Sequence, residues 1–306
     1  MRTPYSAALL AAVMTPLATA AVAAAAIVYA PNNLGTDPAG TGPDTLVRFD
    51  SANPAGYVTI GSMGVNNVGF GGMDFDRDGN LWAYASFFKS TGGAASGLYR
   101  VNTATGAATV QGTASLQSLQ DIAFNPADDQ MYGVNTQANT TRLYRIDLAS
   151  GATTAVGVVT GLPASHNNVG LAFDSGGNFY LHDQTSDAIY KGAGLSASLL
   201  YSIPLDTNFS QGMTIDWSRD DTGYHGAVGY GDFPNYFARV NTFATDGSAY
   251  VLGPDFGPNI PVGQFTFPPV EPGDLAIAPL VPEPAGAAAV GVVAAAGLLA
   301  RRRGGR

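Results

Sequence analysis

Three carboxylates at alternate positions, Asp74, Asp76 and Asp78, run into Gly79-Asn80 and give the sequence its sharpest chemical signal. Oxygens at every second residue followed by a Gly for the turn form the first half of a calcium loop. Calcium is therefore the candidate cofactor, with Asp74, Asp76 and Asp78 as its candidate ligands. An EF-hand would need Glu at the twelfth position, where this chain has Ala85. The same run also suits a plain turn, because Asp hydrogen-bonds the backbone two residues on and Gly takes a positive φ. Asn125, Asp174 and Asp216 stand where Asp76 does in similar segments, which favours the turn role there. Asp74 has no such counterparts: its place is taken by Ala123, Ala172 and Thr214.

The other groups able to do chemistry are three histidines and a set of amides. His182 is followed by Asp183, but neighbours on a strand point to opposite faces and cannot act directly as base and orienting carboxylate. A metal site built from His166, His182 and His225 would need separate segments to converge, and nothing in their spacing demands it. Asn66, Asn67, His166, Asn167, Asn168 and Gln211 each lie just ahead of a repeated strand and are candidate ligand-binding residues. Neutral amides there could bind sugar hydroxyls of an extracellular polysaccharide while Trp82, Phe87 or Tyr236 stacks on a ring, or they could simply cap strand ends. No nucleophile elbow, phosphate-cradling loop or zinc motif occurs, so no catalytic residue is assigned.

These residues sit on a repeat. Gly72-Met73-Asp74-Phe75-Asp76, Asp121-Ile122-Ala123-Phe124-Asn125, Gly170-Leu171-Ala172-Phe173-Asp174 and Gly212-Met213-Thr214-Ile215-Asp216 match, with apolar positions 73, 122, 171 and 213 spaced by 49, 49 and 42 residues. That is the period of a propeller blade. A second strand follows each, as in Leu81-Trp82-Ala83-Tyr84, and then a third: Leu98-Tyr99-Arg100-Val101-Asn102, Leu143-Tyr144-Arg145-Ile146-Asp147 and Phe237-Ala238-Arg239-Val240-Asn241. The third repeat keeps only Ile189-Tyr190-Lys191. Leu46-Val47-Arg48-Phe49-Asp50 is a third-strand match with no inner strand before it, and Asp274-Leu275-Ala276-Ile277-Ala278 is an inner strand with nothing after it. Joining them in one blade closes a ring without an open sheet edge. The expectation is an all-β propeller of five four-stranded blades over residues 27–280. Six blades is the alternative, with a strand pair hidden between Gly253 and Pro272. The pattern resembles bacterial lactonase-like and NHL-like propellers, a resemblance of fold that carries no catalytic residues.

The two ends have a different character. Residues 1–26 hold one Arg and an Ala/Leu/Val run ending in small residues, as a helical signal peptide for the Sec machinery and signal peptidase would. At the other end, Val281-Pro282-Glu283-Pro284 precedes sixteen small apolar residues and then Arg301-Arg302-Arg303. This arrangement resembles the PEP-CTERM sorting signal of Gram-negative bacteria, a Pro-Glu-Pro motif followed by a transmembrane helix and an Arg cluster. The resemblance implies processing by an exosortase-type transpeptidase after transient anchoring in the inner membrane, then delivery to the cell surface or an extracellular matrix, as in a biofilm. Residues 281–306 form that segment.

Composition narrows the partners. The 306 residues include 14 Lys or Arg, 23 Asp or Glu and no Cys, for a formal charge of −9. Disulfides are impossible, and a nucleic-acid partner is excluded because a polyanion needs a basic surface to displace its counterions. The sequence thus points to an exported binding or structural propeller, with a secreted hydrolase or lactonase using a divalent metal at the channel mouth as the alternative.

Overall fold

The computed structural model describes residues 25–34, 42–66, 68–88, 97–112, 118–207, 212–230, 236–258, 260–262 and 265–280. The signal-peptide and sorting segments, including Val281, Pro282, Glu283, Pro284, Arg301, Arg302 and Arg303, lie outside them.

The chain starts with three antiparallel strands, β1 (Ile27–Asn32), β2 (Thr45–Asp50) and β3 (Asn53–Ser62). Four meanders of four strands follow, each running from the inside outwards. They are β4 (Val68–Phe75), β5 (Leu81–Phe88), β6 (Gly97–Val101) and β7 (Ala108–Gly112); β8 (Asp121–Asn125), β9 (Gln130–Gln137), β10 (Thr140–Ile146) and β11 (Thr153–Val158); β12 (Asn168–Phe173), β13 (Phe179–Asp183), β14 (Ala188–Ala193) and β15 (Ser196–Ser202); and β16 (Gly212–Ile215), β17 (Thr222–Tyr230), β18 (Tyr236–Ala244) and β19 (Tyr250–Val251). A hairpin of β20 (Ile260–Val262) and β21 (Phe265–Phe267) intervenes. The last strand, β22 (Ala276–Ile277), then pairs with β1 through Val28–Ile277 and Tyr29–Ala276. The result is five four-stranded blades, the first closed by strands from both ends of the chain. The strand pair anticipated between Gly253 and Pro272 exists, but its two three-residue strands form a sheet of their own and no sixth blade.

Each blade presents one apolar face to the blade before it and one to the blade after, because alternate strand residues point to opposite faces. Five buried clusters fill the five interfaces, for example Met73, Phe75 and Leu81 with Leu46 between blades 1 and 2, and Tyr180, Ile189 and Phe243 between blades 4 and 5. The turns between third and fourth strands follow the same logic as their sequences. The Asp147 carboxylate accepts the amides of Ala149 and Ser150, both at 2.9 Å, and Gly151 takes a φ of +73°.

The register corrects one match. Across β5–β6, Trp82 faces Arg100, and across β17–β18 the equivalent Tyr224 faces Thr242, not Arg239. Arg239 stands opposite Ala227, three residues away from the slot that the motif Phe237-Ala238-Arg239-Val240-Asn241 suggested. In blade 4, by contrast, the reduced Ile189-Tyr190-Lys191 motif is part of a full third strand.

Candidate functional site

The inner strands surround the channel, and one level of it is occupied by Gly72, Asp121, Gly170, Gly212 and Asp274, each preceding the apolar residue of its repeat. At Gly72 and Gly212 the space admits no side chain. A Cβ on Gly72 would lie 2.6 Å from the Ile122 nitrogen, and one on Gly212 would run into Asp274. Two residues along, on the same face, are Asp74, Ala123, Ala172, Thr214 and Ala276. Three carboxyls therefore enter an otherwise small-residue channel.

Each of the three ties its own blade to the next. Asp74 accepts the Phe75 amide at 2.8 Å and, across the interface, the Phe124 amide at 2.8 Å. Asp121 accepts Ile122 at 2.6 Å and Leu171 of blade 4 at 2.5 Å. Asp274 accepts Leu275 at 2.7 Å, Met213 of blade 5 at 3.2 Å and the Met73 amide of blade 2. Asp44 adds a fourth tie, accepting the Phe70 amide at 2.9 Å from blade 1 to blade 2.

Burial dominates the electrostatics. The Asp74 carboxyl is pushed up to about 7 by loss of water, against the pull of the Phe124 and Phe75 amides. Asp121 and Asp274 are hydrogen-bonded to each other, and both are held well above the usual carboxylate range, first by burial. Two buried carboxyls in contact share a proton, because two adjacent charges in a dry interior repel.

One end of the channel is covered. Trp217, on the hairpin of blade 5, lies 5.7 Å from the Phe124 ring of blade 3, and the Arg77 guanidinium of blade 2 sits 5.7 Å over Trp217. Blade 5 borders blades 4 and 1, so an indole reaching blades 2 and 3 must cross the axis.

The sequence-identified carboxylates do not meet at one point. Asp74 faces the channel, whereas Asp76 organises its hairpin: it accepts the Asp78 and Asn80 amides at 3.0 and 2.8 Å, the Asn80 side chain at 2.8 Å and the Trp82 indole at 2.9 Å. Asp174 repeats the device with Gly176, Asn178 and the Tyr180 hydroxyl. Asp78 is exposed, and among the described residues no group of three or more Asp, Glu, His or Cys side chains is placed to hold a metal. The Asp76 oxygens are thus used as turn chemistry uses them.

The mouth amides divide in the same way. Asn66 is exposed, while Asn67 and Gln211 lie outside the described residues. His166 is buried with Nδ1 2.6 Å from the Pro163 carbonyl. The Asn167 amide donates to Asp183, at 2.7 Å, and the Asn168 side chain donates to Thr141 of blade 3, at 2.8 Å. These contacts cap strands and join blades. Trp82, expected at the surface, is buried because its indole serves Asp76, and Tyr236 is half-buried.

Two of the three histidines do come together. His182 and His225, fully buried between blades 4 and 5, have ring centroids 4.5 Å apart. His182 is opposite in face to Asp183, as the strand geometry requires; Asp183 instead accepts from Asn167 and Ser186. Thr207 gives its one proton to Asp187, so its oxygen accepts from His182 Nε2, while Tyr250 meets His225 Nδ1 at 2.8 Å. Burial pushes His182 well down and His225 down to about 3, keeping both neutral.

Asp121 and Asp274 belong to no acidic run, so no local motif marks them. Their signal was a repeat position that holds Gly in three blades and Asp in two.

The fold and its channel define a closed five-bladed β-propeller whose axial carboxyls bind backbone amides. The chain belongs to the family described as a repeat of unknown function (DUF6923), whose model matches residues 87–252. A domain of unknown function (DUF4394) matches residues 38–123. No curated protein matches the sequence. Among solved structures, TolB from Acinetobacter baumannii is similar with a TM-score of 0.43 and 16% identity, over 74% of this chain and 52% of TolB, so the match spans about half of that protein. A chain of the nidogen/laminin complex has a TM-score of 0.47 and 13% identity, over 83% of this chain and 98% of its own. YCF48 bound to D1 peptide has a TM-score of 0.37 and 13% identity, over 60% of this chain and 55% of its own.

Proposed function

We propose that this protein is exported through the Sec machinery, processed at Pro282-Glu283-Pro284 by an exosortase-type transpeptidase, and acts at the cell surface or in the extracellular matrix as a binding or structural propeller. The observation that supports binding rather than catalysis is the state of the channel: its carboxyls accept backbone amides from adjacent blades, and Trp217 covers one end. Groups engaged in this way hold the ring together, which leaves the blade faces and loops to meet a partner such as an extracellular polysaccharide.

The hydrolase reading retains one favouring observation. Carboxyls with strongly raised proton affinity cluster at active sites more often than elsewhere, and Asp74, Asp121 and Asp274 have that property.

Fractionation of cells expressing the chain and its Glu283→Ala variant tests the export and sorting steps. The wild type is expected as a shortened species at the surface and the variant as an uncleaved membrane-bound one. Identical fractionation of the two would overturn the sorting assignment.

A further inference from the structure

The chain enters and leaves the ring on one side. The last inner strand, β22, runs antiparallel to β1 with Ile277 opposite Val28, so the end of β22 and the start of β1 lie together. Beyond β22, the Leu280 amide donates to the Ser218 hydroxyl at 3.0 Å, on the β16–β17 hairpin beside Trp217. Ahead of β1, the Ala26 amide donates to the Ser51 hydroxyl at 3.0 Å, on the β2–β3 turn. The hairpins that follow the inner strands are joined across blades at this level: Arg77 of blade 2 pairs with Asp129 of blade 3 at 2.9 Å, and Asp221 of blade 5 accepts the Ser175 amide of blade 4 at 2.7 Å. Trp217 covers the channel on the same side. The sequence before Ala26 and after Leu280 therefore continues from the covered, hairpin end.

Strand direction puts the amide-bearing loops at the other end. Inner strands run towards the hairpins, so Asn66, His166 and Asn167, which precede them, lie at the opposite mouth. The β9–β10 turn with Gln137 and Asn139 is there too, and the His166 amide donates to the Asn139 side chain at 3.4 Å. The two ends differ in chemistry. The hairpin end exposes the carboxylates Asp78, Asp147, Asp220 and Asp246, whereas Asn66, Gln137 and Asn139 expose neutral amides at the far mouth.

We propose that residues 281–284 tether the propeller by its hairpin end. While residues 285–306 hold the chain in the membrane, that end faces the lipid, and the mouth bearing Asn66, Gln137 and Asn139 faces outwards to meet the extracellular polysaccharide. The reach of the tether enforces this orientation. Four residues span at most about 14 Å, whereas an eight-residue strand such as β5 or β9 is about 26 Å long. So short a tether cannot carry the far mouth round to the membrane. This deepens the proposed function by assigning the face that the partner meets, and it rests on the sorting segment acting as a membrane anchor.

The chain has no Cys, so a single introduced thiol reports its own position. Asp78→Cys at the hairpin end and Gln137→Cys at the far mouth, both exposed positions, are each placed in the uncleaved Glu283→Ala chain. Spheroplasts of cells expressing these chains are treated with a small membrane-impermeant maleimide or with a bulky polymer-linked one. The small reagent is expected to modify both positions at similar rates, and the bulky reagent to modify position 137 at least fivefold faster than position 78, which the membrane shields. A flexible Gly/Ser insert of about 30 residues after Leu280, with a mean span of about 30 Å, is expected to remove the difference. Equal rates with the bulky reagent, faster reaction at position 78, or a difference that survives the insert overturns the tethered orientation. Absence of the chain from the membrane fraction overturns the anchoring reading and this inference with it, so the two failures are told apart before any label is added.

Discussion

At the residue scale, one Asp in a turn and one in a channel have opposite fates. Asp76→Ala removes the acceptor for two amides, an amide side chain and the buried Trp82 indole, with an expected loss of about 2–4 kcal/mol. Asp78→Ala, at an exposed position, is expected to change stability by less than about 0.5 kcal/mol. Millimolar calcium is expected to leave the melting temperature unchanged, whereas an upward shift would restore the calcium loop. The channel and the histidine pair give opposite pH dependences. Asp74 has a raised proton affinity in the fold, so its contribution is fullest below the unfolded value near 3.8 and is lost as pH rises to about 7. His182 and His225 have lowered affinities, so theirs is fullest above about 6.5 and is lost as pH falls towards 3. In denaturant titrations, the gap in stability between wild type and Asp74→Asn should widen from pH 7 to pH 4. A constant gap would show that Asp74 is not buried as an acid.

At the element scale, close approach sets the limits. Gly72→Ala would press a methyl group against the Ile122 nitrogen and is expected to cost about 2 kcal/mol or more, measurable by chemical unfolding. The strands and turns were legible in the sequence because each uses a local rule: alternation for the strand, Asp and Gly for the turn. Closure was legible too, since Leu46-Val47-Arg48-Phe49-Asp50 and Asp274-Leu275-Ala276-Ile277-Ala278 each lacked what the other supplied. Register was less so. The Arg239 motif imitates Arg100 in composition, and only the pairing of Tyr224 with Thr242 shows the three-residue offset. The links of Asp121 to Leu171, and of Asp274 to Met73 and Met213, join positions far apart in sequence, so no local pattern encodes them.

At the scale of the whole molecule, the ring depends on its last strand. A chain ending at Pro272 loses β22 and with it the Asp274 ties to blades 2 and 5, the buried Leu275 and the pairing with β1. Against a chain ending at Leu280, it is expected to lose its cooperative thermal transition. The central claim, a propeller that binds and does not cut, is tested most directly by incubating the purified protein with extracellular polysaccharide and measuring retention and released products in the same sample. Retention with no product above a protein-free control is expected. Product formation that disappears in Asp74→Asn or Asp121→Asn would contradict it and assign the channel carboxyls to catalysis.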